Sequence, residues 1–167
     1  MIRNNVKKTT YFLVFLIHFS AVSQQFFKID DTAPEFKLWL TDGSKLTNND
    51  TKGKVVVLKF WFTSCMPCLT DIPKLNNLVK EFEKRDDILF IAPALDRKPA
   101  IEKLLEVHPF HFKIAYSAMD VSQKFNKQQV YPSYFIINKK GKIAYIDSGS
   151  KMSEANDLKN AIIQALK

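Results

Sequence analysis

The chain alternates between short, nearly continuous apolar runs and longer stretches in which apolar residues recur every three or four positions. The clearest run covers residues 55–62 and is rich in β-branched and aromatic side chains, which is typical of a strand buried on both faces. A second run of this kind covers 88–92. Between them, the apolar positions of 67–85 have helical spacing and predict an amphipathic helix, which Pro73 should kink.

The same alternation continues towards both ends of the chain. Apolar patterning and turn residues predict a strand at 36–40, helices at 99–107 and 119–125, a β-hairpin over 134–146, and a last helix to Ala165 capped by Ser153. No internal repeat or low-complexity linker interrupts this order. Strands and helices that alternate and end in a hairpin and a helix predict an α/β fold, with a central mixed sheet flanked by helices.

Composition and charge narrow the class of protein. A length of 167 residues with 46% hydrophobic residues fits one globular domain and excludes a disordered or fibrous chain. The formal net charge is +8, but lysines are mixed with glutamates along the predicted helices and concentrate only at 139–142. Nucleic-acid binding needs a clustered basic face with base-reading or stacking groups, so we exclude that function.

Residues 1–23 have the pattern of a secretory signal peptide. A basic start precedes a short apolar core at 11–19, and small residues then lead to Ser23. We therefore expect cleavage near Ser23, an exported protein in the periplasm, and one domain over 24–167. An uncleaved membrane anchor is the alternative, but the core is about half of the roughly 20 residues that a span needs.

The two cysteines, Cys65 and Cys68, follow the buried strand directly and open the predicted helix. Two cysteines cannot form a disulfide-stapled scaffold or a four-cysteine zinc site. Free amides and the helix dipole at this junction favour a thiolate, so Cys65 is expected to be the exposed, low-pKa nucleophile. Cys68, one turn further on, could then resolve a mixed disulfide. Dithiol–disulfide exchange is the leading interpretation, and structural or metal-binding use of the pair is the alternative.

Several segments resemble one family. The segment 60–68, with Pro73 following, resembles the active-site segment of the thioredoxin-like superfamily. The amino-terminal segments 33–43 and 53–56 resemble the β extension of its TlpA/ResA branch, which comprises exported thiol–disulfide oxidoreductases. Residues 130–137 and 141–143 resemble the proline segment and the following hairpin of that family. The resemblance spans roughly 31–167 and implies a thioredoxin-like fold with an N-terminal β extension.

The resemblance also implies a substrate-binding region around the cysteines. Pro132 is expected to follow a cis peptide bond and to display the backbone of Tyr131 for pairing with a substrate chain. Met66 and Pro67, which lie between the cysteines, and Trp61, which precedes them, are expected to contact substrate. For Trp61, a plain position in the core is the alternative.

We have a separate expectation for each of two ionisable residues near the cysteine pair. Asp71 occupies the place where TlpA/ResA-like proteins commonly carry an acid, so it could exchange a proton with the resolving thiol of Cys68. The alternative is that Asp71 only favours the first helical turn through the dipole. Lys59 departs from the pattern of thioredoxins, which usually place a buried acid there. Because a buried lysine is costly without a partner, we hypothesise that Lys59 pairs with an acid near the site, for which Asp71 is one candidate.

Other chemistries have weaker support. His108 and His111 could join the cysteines in a metal site, but the spacing is far from that of compact zinc sites, so we expect surface histidines and no bound metal. Peroxiredoxins share the segment 33–36 but carry threonine or serine three residues before the reactive cysteine. This chain has Phe62 there, which disfavours peroxidase chemistry.

The direction of electron flow can be argued from the residues between the cysteines. Met66 and Pro67 supply neither charge nor a hydrogen bond to a thiolate, so we expect a potential closer to about −270 mV than to about −120 mV. The protein would then be a monomeric reductase without cofactor. The resemblance implies a membrane thiol reductase as electron donor and oxidised proteins, including apocytochromes c, as substrates. The alternatives are a disulfide oxidase or isomerase, and a copper or zinc carrier.

Overall fold

The computed structural model describes residues 27–149 and 154–167. The predicted signal peptide and the Ser153 cap lie outside these residues. The described part contains seven strands, β1 Lys37–Leu40, β2 Lys45–Thr47, β3 Val55–Phe60, β4 Ile88–Pro93, β5 Lys113–Tyr116, β6 Ser133–Ile137 and β7 Ile143–Ser148. It also contains five α-helices, α1 Met66–Thr70, α2 Ile72–Glu81, α3 Lys98–Leu105, α4 Met119–Phe125 and α5 Glu154–Ala165, and a 3₁₀ turn at Asn48–Thr51.

All seven strands form one mixed sheet in the order β2-β1-β5-β4-β3-β6-β7. β3, β4 and β5 run parallel, whereas β1, β2, β6 and β7 join through antiparallel pairings. β3 lies inside the sheet between β4 and β6, and every one of its residues is buried. The predicted mixed sheet flanked by helices and the amino-terminal β extension, formed by β1 and β2, are confirmed.

The side chains of β3 divide the core into two layers. Val55 and Val57 belong to a cluster beneath α2 and α5, whereas Val56, Leu58 and Phe60 belong to a cluster that includes β1 and α4. This alternation follows from the two-residue period of a strand. Lys59 points into the first layer by the same alternation, on the side of the helix that carries the cysteines.

The helix predicted over 67–85 is wrong in its extent, because the structure has two helices, α1 and α2, with Asp71 between them. Pro73 has no N–H to donate to the carbonyl of Leu69, so the hydrogen-bond ladder is broken at this point. The chain leaves the helix after Glu81 rather than at 85. β2 and β5 are strands that the sequence reading did not predict.

The described helices are all too short or too polar for a membrane-spanning segment.

Candidate active site

The cysteines lie in the connection from the central strand to the first helix. β3 ends at Phe60, and α1 begins at Met66. The loop between them is fixed by Asp96, which follows β4. Its carboxylate accepts hydrogen bonds from the Thr63 amide at 2.7 Å and from the Thr63 hydroxyl at 2.9 Å. Asp96 therefore holds the loop two residues before Cys65, and this contact was missed by the sequence reading.

Replacement of Asp96 with alanine should loosen this loop. Hydrogen bonds to a charged group contribute about 1.5–3 kcal/mol, and partial exposure reduces that, so we expect the free energy of unfolding to fall by about 2 kcal/mol. Urea denaturation measures the change, and Asp120→Ala, an exposed acid on α4, is the control. Equal stability of the Asp96 and Asp120 variants would contradict a role of Asp96 in holding the loop.

Cys65 and Cys68 are joined by a disulfide. Cys65 is the N-cap of α1, and its Sγ lies 3.3 Å from the Cys68 amide, which donates to it. Pro67 fits in this first turn because no intrahelical acceptor awaits its missing N–H. The predicted placement, with Cys65 before the helix and Cys68 in its first turn, is confirmed.

The accessibility of the two cysteines differs from the expectation. Cys68 is fully buried, and Cys65 retains only 5% of its surface in the oxidised pair, so the expectation of an exposed Cys65 is corrected. Cys65 is nearly buried because it packs into the core cluster beneath α2. Cys65 is still the more exposed residue of the two.

Lys59 lies directly beneath the cysteine pair. Its side chain is fully buried, and its Nζ donates a hydrogen bond to the carbonyl oxygen of Cys68 at 2.7 Å. The same Nζ lies 3.9 Å from Oδ2 of Asp71, which confirms the pairing hypothesised from sequence. Burial lowers the pKa of Lys59 to about 8, although the negative charge of Asp71 acts in the opposite direction.

Tyr134 completes this buried polar group. It is the cross-strand partner of Lys59 in the β3–β6 pairing, and its hydroxyl donates a hydrogen bond to Oδ2 of Asp71 at 2.8 Å. Burial, with the nearby charge of Asp71, raises the pKa of Tyr134 far above its ordinary value, so the hydroxyl stays a donor. The sequence reading missed Tyr134, for which the one signal was a hydroxyl in an apolar strand two residues after Pro132.

The segment before β6 forms another wall of the site. The peptide bond between Tyr131 and Pro132 is cis, as expected. The ring of Tyr131 meets that of Phe62 edge-on at a centroid distance of 5.5 Å, and its hydroxyl lies 2.8 Å from that of Ser122. Tyr131 is therefore beside the loop that leads from β3 to Cys65.

The residues predicted to contact substrate divide into exposed and buried positions. Met66 is 68% exposed and Pro67 is also exposed, so both present apolar surface beside the disulfide. Trp61 is fully buried. Its indole donates to the carbonyl of Ala92 at 3.3 Å and packs edge-on against Phe110. The expectation that Trp61 contacts substrate is therefore wrong, and its alternative position in the core is observed.

The two histidines considered as metal ligands are on the surface. His108 and His111 are both exposed, and the backbone amide of His111 donates to the side chain of Asn76 at 2.8 Å. Across 27–149 and 154–167, the structure forms no group of three or more potential metal-ligating residues.

A mixed sheet of this order, with a cysteine pair at the start of the helix after its central strand and a cis-proline segment beside it, defines a dithiol protein of thioredoxin-like fold. The sequence profile of the redoxin family matches residues 28–162, and the chain belongs to that family. Within the thioredoxin-like superfamily it is of the TlpA/ResA type.

Individual relatives agree with this assignment. The chain is 31% identical over 128 residues to the thiol-disulfide oxidoreductase ResA of Geobacillus thermodenitrificans, over 75% of this chain and 72% of the relative. It is 28% identical over 120 residues to the thioredoxin-like protein YneN of Bacillus subtilis, over 71% and 70%. A Chlorobium tepidum crystal structure assigned as a thiol:disulfide interchange protein DsbE superposes with a TM-score of 0.74 and 26% identity, over 84% of this chain and 99% of the other. Family, fold and cysteine pair make this protein a thiol–disulfide oxidoreductase of the ResA type.

Proposed function

We propose that the protein reduces disulfides of exported proteins, with Cys65 as the nucleophile and Cys68 as the resolving residue. The observation that carries the proposal is the position of Cys65 as N-cap of α1, where its sulfur accepts a hydrogen bond from the Cys68 amide and where Cys65 is the more exposed residue of the two. An amide that donates to sulfur stabilises the thiolate over the thiol. This arrangement supports attack by Cys65 rather than by Cys68.

The proposed reaction moves two electrons from the dithiol to the substrate. The Cys65 thiolate attacks one sulfur of the substrate disulfide, forms a mixed disulfide and expels the other sulfur as a thiolate. The Cys68 thiol then loses its proton and attacks the Cys65 sulfur. The Cys65–Cys68 disulfide forms, and the second substrate sulfur leaves as a thiolate. The two substrate thiolates take up protons, so the substrate gains two electrons and two protons.

Asp71 is proposed as the base that accepts the Cys68 proton. It lies three residues after Cys68, is largely shielded from solvent, and contacts both Lys59 and Tyr134. A carboxylate can accept a proton from a thiol, and positioning the base next to its partner increases the rate of transfer. If Asp71 only stabilised the first turn of the helix, its contacts with Lys59 and Tyr134 would have no role.

The reducing direction predicts a low reduction potential. No charged side chain lies between the cysteines, where Met66 and Pro67 provide only apolar surface, and Asp71 balances the positive charge of Lys59. The reduced thiolate thus has little extra stabilisation, and we expect a potential closer to about −270 mV than to about −120 mV. Equilibration with dithiothreitol redox buffers, with alkylation of free thiols and mass spectrometry, measures it. A potential near about −120 mV would instead favour the oxidase alternative.

The proposal also includes the compartment in which the protein acts and the partners that it needs. Residues 1–23 are proposed as a signal peptide that is cleaved near Ser23, which would release residues 24–167 into the periplasm. A reductase there needs electrons from outside its own compartment, so a membrane thiol reductase is the proposed donor. Oxidised cysteines of exported proteins are the proposed substrates, and apocytochromes c before haem attachment are one candidate group. Exposed Met66 and Pro67 offer an apolar surface that suits an extended substrate chain.

A further inference from the structure

The buried ammonium of Lys59 is a feature that the proposed exchange reaction does not yet use. In the described part of the chain, the buried polar residues are Thr51, Lys59, Ser122, Asn126 and Ser133, and Lys59 is the charged one among them. A methionine side chain would fill a similar volume without a charge to desolvate. A buried ion pair is weak evidence of a gain in stability, and the contacts of Lys59 suggest a chemical reason for the lysine.

The groups around the Lys59 ammonium come from four parts of the fold. The carbonyl of Cys68 on α1 accepts its hydrogen bond at 2.7 Å, and the carboxylate of Asp71 between α1 and α2 lies 3.9 Å away. The rings of Tyr134 on β6 and of Phe110, which precedes β5, each have their centroid 5.5 Å from Nζ. The titratable groups facing Lys59 are thus Asp71 and Tyr134, and Tyr134 stays protonated.

Two of these contacts involve the two residues between which the proton moves in the resolving step. Before transfer the negative charge is on Asp71, and after transfer it is on Cys68. Both residues contact the same ammonium, one through its carboxylate and the other through its carbonyl. One fixed positive charge therefore contacts both the acid and the residue that carries the resolving thiol. Without Lys59, the charge would move within a buried region that has no counter-charge, which is unfavourable.

We propose that Lys59 is a positioning residue for the resolving step, because its ammonium holds the Asp71 carboxylate next to Cys68 and balances the negative charge as it passes from Asp71 to the Cys68 sulfur. This inference rests on the proposed function, in which Cys68 resolves the mixed disulfide. The balanced step is unchanged: Asp71 gains the Cys68 proton, the Cys65–Cys68 bond forms, and the substrate thiolate leaves. Lys59 itself neither gains nor loses a proton in it.

The charge of Lys59 gives the inference a pH signature. Burial lowers the pKa of Lys59 to about 8, so the ammonium is present below that pH and is lost as the pH rises through it. The contribution of Lys59 to the resolving rate should therefore be complete near pH 6–7 and disappear above about pH 9. A residue that acts only through packing would not show this dependence.

Release of thionitrobenzoate from Ellman's disulfide separates the two chemical steps in one stopped-flow trace. Attack by Cys65 of the reduced protein releases a first equivalent, and attack by Cys68 on the mixed disulfide releases a second. We expect Lys59→Met to leave the first phase within about twofold of wild type and to slow the second about tenfold at pH 7, the factor for one pKa unit. The second phases of both proteins should converge above about pH 9.

Two further variants make the result unambiguous. Lys103→Met removes an exposed lysine of α3 and should leave both phases unchanged. Lys59→Arg keeps the positive charge at high pH, so its second phase should lie above that of Lys59→Met at every pH. It also serves as the second test if circular dichroism shows that Lys59→Met does not fold.

The outcomes separate this inference from the function on which it rests. A Lys59→Met second phase equal to wild type at pH 7, or slowed by one constant factor from pH 6 to 10, would overturn the role of Lys59. If Lys59→Met does not fold, a Lys59→Arg second phase that falls above pH 8 as steeply as that of wild type would overturn it too. A wild-type protein that releases only one equivalent would show that Cys68 does not resolve, so the proposed function would fail instead.

Discussion

Replacement of Cys65 with serine should abolish disulfide reduction, whereas replacement of Cys68 with serine should convert the protein into a trap for its substrates. Without the Cys65 sulfur the nucleophile that forms the mixed disulfide is lost, so we expect the rate of insulin reduction to fall on the order of 10³-fold or more. With Cys65 present and Cys68 absent, attack still occurs, but the covalent intermediate cannot resolve.

The measurement combines insulin turbidity with trapping. Cells that produce the full chain with Cys68→Ser should accumulate complexes that disappear on reduction and can be identified by mass spectrometry. The Cys65→Ser/Cys68→Ser double variant is the matched control and should trap nothing. Complexes formed by Cys65→Ser but absent with Cys68→Ser would reverse the two roles. The identities of trapped proteins also test whether apocytochromes c are among the substrates.

The second large effect is expected from Asp71→Asn. Asparagine keeps the size of the side chain and can still accept a hydrogen bond from the Tyr134 hydroxyl, but it cannot take up a proton. Loss of a positioned base costs about 10²–10⁴-fold, and we expect a decrease of about 10²-fold in the resolving step. The pH profile of exchange should also flatten, because asparagine cannot take up the Cys68 proton.

Steady-state rates from pH 5 to 9 test this expectation. Asp86→Asn, an exposed acid in the loop before β4, is the matched control and should retain the wild-type profile. Thermal unfolding of the Asp71 variant checks that the fold persists once Lys59 has lost its counter-charge. If Asp71→Asn keeps both the rate and the shape of the profile, Asp71 is not the base, and its effect is confined to the helix.

Local patterns were sufficient to predict the parts of the site that lie close together in sequence. The apolar run of β3 and the cysteine spacing predicted a buried strand that leads into a helix with Cys65 outside it and Cys68 inside. The pairing of Lys59 with Asp71 could be hypothesised because a buried lysine needs a partner within reach. The cis peptide before Pro132 could not be read from periodicity and came from the family resemblance.

The remaining parts depend on pairings between distant segments. Tyr134 is 63 residues from Asp71, and only the β3–β6 register brings its hydroxyl to the carboxylate. Asp96 reaches Thr63 across 33 residues because β3 and β4 lie side by side. Trp61 was misjudged because proximity to the cysteines in sequence does not show whether a side chain faces the rim or the core.

The strand β5 shows how a local signal can be overlooked. Ile114 and Tyr116, with Phe112 just before the strand, pack on one face of the sheet, and Ala115 between them is buried on the other face. The strand has only four residues and joins the amino-terminal extension to the parallel part of the sheet. A run of four residues is too short to show a clear strand period in the sequence, although the strand completes the sheet.

The register of β6 against β3 affects how correct folding of a purified preparation of this protein should be checked. A slip of one residue would turn Tyr134 to the opposite face of the sheet, since side chains alternate along a strand. Asp71 would then lose its hydrogen bond from Tyr134, while Cys65 and Cys68, which belong to a separate segment, could still oxidise. Formation of the disulfide is therefore not sufficient to show that a preparation is correctly folded. A measurement that reports on the hydrogen bond from Tyr134 to Asp71 is a more stringent criterion.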